Sequence, residues 1–290
     1  MTVTSDAAPI SADEIARYRE SIGQSIVITD QMSPDTIRRI AATLDEDWDA
    51  SSPLPPIWHY GLFAQTARTS FLKRDGHPPA ERFMPEVRLP RRMFAGSDIS
   101  FTGTLRAGHE ATRDSRIASV EHRAGRSGDL VFVKVRTTIT QDGAVCVEEE
   151  QTFVYRGAGG AAAPAIAAVA LPPLVDGEIA EMWTPTNVEL FRFSAVTFNG
   201  HRIHYDRKYA IEVEGYPDLV VTGPLSAVRL CRFVARLRSA PLKRFVYRCE
   251  APTYVDMPVR MVGRPEGETL ALRSERIDGA IILSATATFG

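Results

Sequence analysis

The chain has 290 residues, 44% hydrophobic and 24% charged, with a formal net charge of −2. That length holds about two ordinary domains with cores of their own, and the near-neutral charge excludes DNA or another polyanion as the first partner to consider. Three scattered cysteines (Cys146, Cys231 and Cys249) exclude a disulfide framework or a paired-cysteine zinc site, and no apolar run reaches the roughly 18 residues of a membrane span. Acids at Asp6, Asp13 and Glu14 take the place of a basic, apolar leader, so a soluble cytoplasmic protein with reduced thiols is expected.

In chain order, the first element predicted is a helix around Tyr60 to Leu72. Arg91-Arg92-Met93-Phe94 follows, then a strand from Asp129 to Arg136, a turn at Asp142-Gly143 and a return strand from Val145 to Tyr155. Asp-Gly between β-type runs marks a two-residue hairpin, because glycine takes the positive φ of the tight turn. Residues 157–173 are mostly small, uncharged and rich in chain breakers, as expected of a connector, which is placed at 157–177. They divide the chain into residues 1–156 and 178–290.

The second half repeats the order. A helix from Pro224 to Arg238 buries Leu225, Val228, Leu230, Phe233, Val234 and Leu237 against a sheet and turns Arg229, Arg232 and Arg236 the other way. Strands around Lys243–Tyr247 and Thr269–Arg273 follow, then Asp278-Gly279 and Ile281 to Phe289. Each half reads as a helix packed on an antiparallel sheet, an α+β fold.

The segment Phe193 to Asp206 carries the chemistry. It holds Asn199, His201 and His204, two of the six histidines, beside Asp206. Imidazoles change charge near neutral pH, so such a cluster suits proton transfer. Further on, Thr222-Gly223-Pro224 opens a helix: threonine caps, proline suits the first turn, and unpaired N–H groups there attract negative charge. The same residues have other readings, Gly223 as a simple turn and His201 and His204 with Asp206 as a metal set, which lacks a clear third ligand. His59, His77, His109 and His122 stand alone and read as structural.

The stretch from Arg192 to Tyr209, with the Gly223-Pro224 helix start, resembles the hydratase motif of MaoC-like R-specific enoyl-CoA hydratases and, more closely, type 2 hydroxyacyl-thioester dehydratases. In the first half, Pro53 to Tyr60, Asp75-Gly76-His77-Pro78 and Leu89 to Gly96 resemble the N-terminal domain of mesaconyl-C4-CoA and itaconyl-CoA hydratases. The resemblance implies a double hotdog, each half a sheet wrapped around a long helix, with one active site, in the second half. The related motif runs aspartate, asparagine, histidine; here Asn199 stands at the aspartate's place and His201 at the asparagine's. An amide is not a base, so the proton-transfer role falls to His204, with Asn199 holding water and His201 assisting.

The function so implied is addition of water to a short branched dicarboxylic enoyl-CoA, itaconyl-CoA or mesaconyl-C4-CoA, giving citramalyl-CoA. The thioester oxygen would meet the Gly223 N–H. Arg91, Arg92, Arg202 and Arg207 are the candidates for coenzyme A phosphates or a substrate carboxylate, and Tyr205, Trp58, Tyr60 and Phe63 for lining. No cofactor beyond the coenzyme A of the substrate, no metal, no nucleic acid and no membrane partner is expected, and a homo-oligomer is. Two other functions stay open: a 3-hydroxyacyl-thioester dehydratase of fatty acid synthesis, and a non-catalytic acyl-CoA-binding protein. A thioesterase fits less well, for want of a carboxylate at Asn199.

Overall fold

The structure, a computed structural model, describes residues 9–78, 83–125, 128–157 and 166–290. The first half begins with helix α1 (Ala12–Arg19), strand β1 (Ser25–Asp30) and helix α2 (Pro34–Leu44). Strands β2 (Arg91–Phe101), β3 (Ala111–Gly125), β4 (Gly128–Gln141) and β5 (Ala144–Arg156) follow. The second half runs β6 (Ile179–Trp183), α3 (Asn187–Val196), α4 (Arg207–Glu212), α5 (Gly223–Leu237), β7 (Leu242–Cys249), β8 (Val259–Glu266), β9 (Thr269–Arg276) and β10 (Ile281–Phe289). Of the predicted connector at 157–177, residues 158–165 lie outside the described residues. The remainder, 166–177, runs without helix or strand.

All ten strands form one sheet, in the order β1-β3-β4-β5-β2-β7-β10-β9-β8-β6. Read outward from the middle, the left side is β2-β5-β4-β3-β1 and the right β7-β10-β9-β8-β6, the same arrangement twice. The double hotdog is therefore present, and its two sheets are continuous through the antiparallel β2·β7 pair, where Gly96 faces Arg248 and Ser100 faces Arg244. Gly96 sits at a register shift in β2 with φ +143°, and a Cβ there would lie 2.2 Å from the Tyr247 carbonyl oxygen. Only glycine lets the two halves join so closely.

Both Asp-Gly turns are where the sequence puts them. Asp142 and Gly143 both take positive φ between β4 and β5, and Gly279 takes φ +79° before β10. Helix α5 forms as expected: Thr222 Oγ1 accepts from Leu225 N at 3.1 Å, Pro224 occupies the first turn, and Leu225, Val228, Leu230, Phe233 and Val234 are buried.

One expectation fails. The helix predicted over Tyr60 to Leu72 does not form: there are only 3-10 turns at Trp58–Gly61 and Thr69–Phe71. Phe63 takes φ +56°, which breaks a helix, and Gly61 lies so close to α2 that a Cβ would meet Ile40 Cδ1 at 2.5 Å. The first half thus lacks the long helix, and the irregular segment with buried Trp58, His59 and Phe63 fills its place. The arginine side of α5 lies opposite the apolar face as expected, and it is buried at Arg229, partly covered at Arg232 and exposed at Arg236. Arg229 is only 8% exposed; its Nε donates to Glu189 Oε1 on α3 at 2.6 Å and its Nη1 to the Leu44 carbonyl at 2.7 Å. Arg232 also reaches Leu44 O, at 2.6 Å, and pairs with Glu46, while Arg236 pairs with Glu181 on β6. Arg229 and Arg232 thus satisfy carbonyls at the C-terminus of α2, where the helix dipole is negative. The sequence showed three arginines on one stripe but not that α2 and α3 would pack over it.

The candidate active site

His204 belongs to a 3-10 turn, Arg202–His204, between α3 and α4. Its Nδ1 donates to the Val220 carbonyl at 2.7 Å, and Val220 N donates to Ile203 O at 3.0 Å, so the turn is laced to the strand-like segment that leads into α5. A carbonyl can only accept, so Nδ1 carries the proton and Nε2 keeps the lone pair. The ring is buried at 7% exposure, and burial pushes its pKa down to about 4 against the raising effect of the Val220 bond. A neutral imidazole with a free Nε2 is a general base at physiological pH.

The neighbouring side chains are held as firmly. Asn199 Oδ1 accepts from His201 N at 3.0 Å, which turns the chain so that the His201 and His204 rings meet edge to face, centroids 5.2 Å apart. Asn199's oxygen is thereby committed to the backbone, leaving its NH₂ for a ligand. Burial, with His77 and His204 nearby, pushes His201 down to about 2. Asp206 caps α4 through Tyr209 N and binds Arg202 through its other oxygen at 2.7 Å, so neither is free for a metal or a phosphate. Arg202 also lies over the Tyr209 ring at 4.1 Å.

Of the remaining predicted residues, Arg207 pairs with Asp218 at 2.7 Å and Arg91 Nη2 donates to the Glu214 carbonyl at 3.1 Å. Arg92 lies near enough to His201 for its charge to act on that ring, and 5.8 Å from the Phe153 centroid. Tyr205, 45% exposed, donates to the Gly200 carbonyl at 3.0 Å. Trp58 and Phe63 are core residues of the first half, at 5% and 1% exposure. Tyr60 donates to Glu149 at 2.6 Å in a buried group with Ser97, Tyr247 and His59. Gly223 opens α5, and a Cβ on it would lie 3.0 Å from Cys249 Sγ. Its N–H, in the first turn, has no acceptor within the helix.

The histidine read as structural and standing alone is the correction. His77, from the first half, stacks on His201 with centroids 4.0 Å apart and planes 37° apart. Asp75 lies beside it, its Oδ2 3.4 Å from His77 Nδ1 and its Oδ1 accepting from His77 N at 2.9 Å. The signal was the Asp-Gly-His-Pro run already noted in the sequence, but the fold alone brings it to His201.

Asp75, His77 and His201 have ligand atoms within 4.8 Å of one another. Zinc–nitrogen bonds of about 2.0 Å in a tetrahedron require donors roughly 3.3 Å apart. Here the two rings are tilted by 37° and Asp75 Oδ2 already faces His77 Nδ1 at 3.4 Å, so the carboxylate and that nitrogen are engaged with each other.

A cavity of about 270 Å³ opens beside the cluster, lined among others by Gly76, Pro78, Asn199, Gly200 and Tyr205 and by the apolar Leu72, Phe191, Ala195 and Phe198. The three imidazoles lie next to these wall residues and are not themselves part of the wall. A second cavity of about 580 Å³ shares Phe191, Ala195 and Phe198 and includes Arg39 and Arg192.

With a buried neutral base, the acid limb of kcat/KM is expected near pH 4. Activity should hold from pH 8 down to about 5 if the protein stays folded. A depressed histidine pKa makes the unfolded state bind more protons, so melting temperature should fall as pH drops from 6.5 towards 4. Paired pH–rate and pH–melting profiles check this; an acid limb near pH 6.5 with an unchanged melting temperature contradicts the assignment.

A double hotdog with a buried imidazole tethered to the segment before a helix start is the frame of the MaoC-like class, whose relatives are named hydratases and dehydratases. The chain belongs to the hydroxyacyl-thioester dehydratase type 2 family, whose model matches residues 57–255. It is 44% identical to the mesaconyl-C(4)-CoA hydratase of Chloroflexus aurantiacus over 93% of this chain and 96% of that one. A MaoC-like dehydratase from Phytophthora capsici shares the fold at TM-score 0.72 and 13% identity, covering 97% and 98% of the two chains. A Mycobacterium tuberculosis protein described as a double hotdog does so at TM-score 0.56 and 12% identity, covering 92% and 96%. Among the described residues, no helix is long and apolar enough to cross a membrane.

Proposed function

We propose that this enzyme hydrates the coenzyme A thioester of a short branched unsaturated dicarboxylic acid, mesaconyl-C4-CoA or itaconyl-CoA, to citramalyl-CoA. The observation that carries this reading is the neutral His204, its tautomer set by Val220. The 44% identity to a hydratase of such a substrate supports the acyl group. In this reading His204 Nε2 takes a proton from water as the oxygen bonds to the β-carbon. With mesaconyl-C4-CoA, whose double bond is conjugated to the thioester, the π electrons move to the thioester oxygen, which the Gly223 N–H receives, and the imidazolium then returns the proton to the α-carbon; itaconyl-CoA, whose double bond lies one carbon further from the thioester, enters this step only after the bond has moved into conjugation. Arg92, near His201, is the arginine assigned to the distal carboxylate. The setting we expect is cytoplasmic, and the enzyme a homo-oligomer.

The test mixes purified protein with each thioester and follows the gain of one water by mass. No product from either ends this substrate reading. One observation favours a second: Leu72, Phe191, Ala195 and Phe198 in the cavity lining suit an apolar acyl chain, as a 3-hydroxyacyl-thioester dehydratase would need. Loss of water from a 3-hydroxyacyl-CoA of about eight carbons, with both dicarboxylic thioesters untouched, would select it.

A further inference from the structure

The second half has an amide, Asn199, where the related motif has a carboxylate. A carboxylate nevertheless stands at the site, and it comes from the other half of the chain. Residues 73–77 form a tight hairpin loop in which Lys73 N donates to His77 O at 2.8 Å and Gly76 N to Lys73 O at 2.9 Å. Gly76 has φ +87°, and a Cβ there would lie 1.9 Å from the Gly200 carbonyl oxygen. The loop is locked to the histidine segment on its far side too. Arg202 N donates to Asp75 O at 2.9 Å, and Arg202 Nη1 to Arg74 O at 3.2 Å. This docking sets the His77 ring on His201 and leaves Asp75 behind His77.

We propose that Asp75 and His77 are a positioning pair that completes the proton-transfer site from the first half, standing in for the carboxylate that Asn199 replaces. This rests on the hydratase/dehydratase reading of His204. Asp75 fixes His77 through both of its oxygens, and because a carboxylate only accepts, the His77 Nδ1 facing it carries the proton. His77 in turn packs His201 against the edge of His204, so the three rings form one stack-and-edge row. When His204 takes a proton from water, positive charge appears at the buried end of a row of imidazoles that has no acid of its own. Asp75 is the anion placed to offset it. The carboxylate is in its charged form: burial raises its pKa, but the bonds from His77 outweigh that and hold it well below the usual range.

The pair also explains why the first half keeps a tightly constrained loop though it has no histidine pair of its own. Gly76 and Pro78, on either side of His77, line the cavity, so the loop that carries the pair also shapes the acyl site.

The experiment uses the full chain with Asp75→Asn, which keeps size and one acceptor but removes the charge. We expect kcat on the accepted thioester to fall roughly 10- to 100-fold, the scale for losing a group that orients a working side chain. KM should stay within about twofold and melting temperature within about 3 °C, less than 2 kcal/mol. Nitrogen NMR of labelled histidines supplies a readout that needs no turnover. In the wild type His77 should show the Nδ1–H form; in Asp75→Asn it should revert towards Nε2–H, and the His201 ring signals should move with it. An unchanged kcat overturns the proposal. A loss of kcat matched by a large fall in melting temperature also overturns it, because Asp75 would then serve folding alone. His201 signals indifferent to the substitution do the same. If the wild type turns over neither dicarboxylic nor 3-hydroxyacyl thioesters, the functional reading fails on its own, and the NMR result still decides the pair.

Discussion

His204→Gln is expected to lower kcat by about 10²- to 10⁴-fold while leaving the fold intact, the range for removing a positioned acid–base group. Glutamine is chosen because its amide can still donate to the Val220 carbonyl that now takes the His204 proton at 2.7 Å. It cannot accept a proton at any ordinary pH, so chemistry and structure are separated. His204→Ala is the contrasting variant. It leaves the buried Val220 carbonyl unpaired and opens a void in a ring site only 7% exposed, so it should cost about 1–3 kcal/mol of stability as well as activity. Steady-state kinetics with circular dichroism and a melting curve on both variants tests this. A His204→Gln protein with wild-type kcat would remove His204 from the chemistry. Because kcat rather than KM should change, thioester binding measured separately should be nearly the same in the wild type and His204→Gln.

The largest effect on stability is expected from Arg229→Leu. Arg229 and Glu189 are 8% exposed each, and the Glu189 carboxylate also accepts from Trp183 Nε1 at 3.1 Å. Removing one partner of a buried ion pair leaves the other charge without compensation, which costs about 3–5 kcal/mol. For a chain of this size that is a fall in melting temperature of roughly 6–20 °C. The same substitution leaves Leu44 O with Arg232 alone, so the C-terminus of α2 should loosen first. The double variant Arg229→Leu with Glu189→Gln is expected to recover a good part of the loss, because the amide carries no charge and can still accept from Trp183. Thermal melts of the single and double variants decide the point; a double variant no better than the single one would show that the capping of α2, and not the orphaned charge, sets the cost.

Much of the second half can be read from the sequence, because its signals are local. Thr222-Gly223-Pro224 specifies a helix start within three residues, and the apolar spacing from Leu225 to Val234 specifies the buried face of α5. Asp142-Gly143 and Asp278-Gly279 specify their turns by backbone preference alone. Strands β3 and β8 escaped notice for the opposite reason. Ala111 to Gly125 alternates with many charged and small residues, and only its pairing with β1 and β4 makes it a strand. The helix expected over Tyr60 to Leu72 follows from apolar spacing, which carries no information about Ile40 pressing on Gly61 or about Phe63 at φ +56°.

The site divides in the same way. Asn199, His201 and His204 sit within one short segment, so their grouping is visible in the sequence, and their hydrogen bonds run to residues nearby. The tautomer of His204 is set by Val220, across a loop and a short helix, and the partner of His201 comes from the other half of the chain. Asp75 and His77 are two residues apart with a glycine between them, a pattern common in plain turns. Only its contacts with Gly200, His201 and Arg202 across the fold show that this turn belongs to the site. Arg202 and Asp206 were misleading in the other direction: their charges are spent on each other and on α4.

The β2·β7 seam has a consequence for how such a protein can be built at all. If the chain were cut between the halves, each would present β2 or β7 as a bare strand margin, its amides and carbonyls seeking any passing partner. Carrying both on one polypeptide makes their meeting intramolecular, at an effective concentration that can reach the millimolar range. One half could therefore lose its long helix and histidine motif without losing its mate. Fusion thus frees one copy to become a scaffold, provided it keeps the single loop its neighbour still leans on.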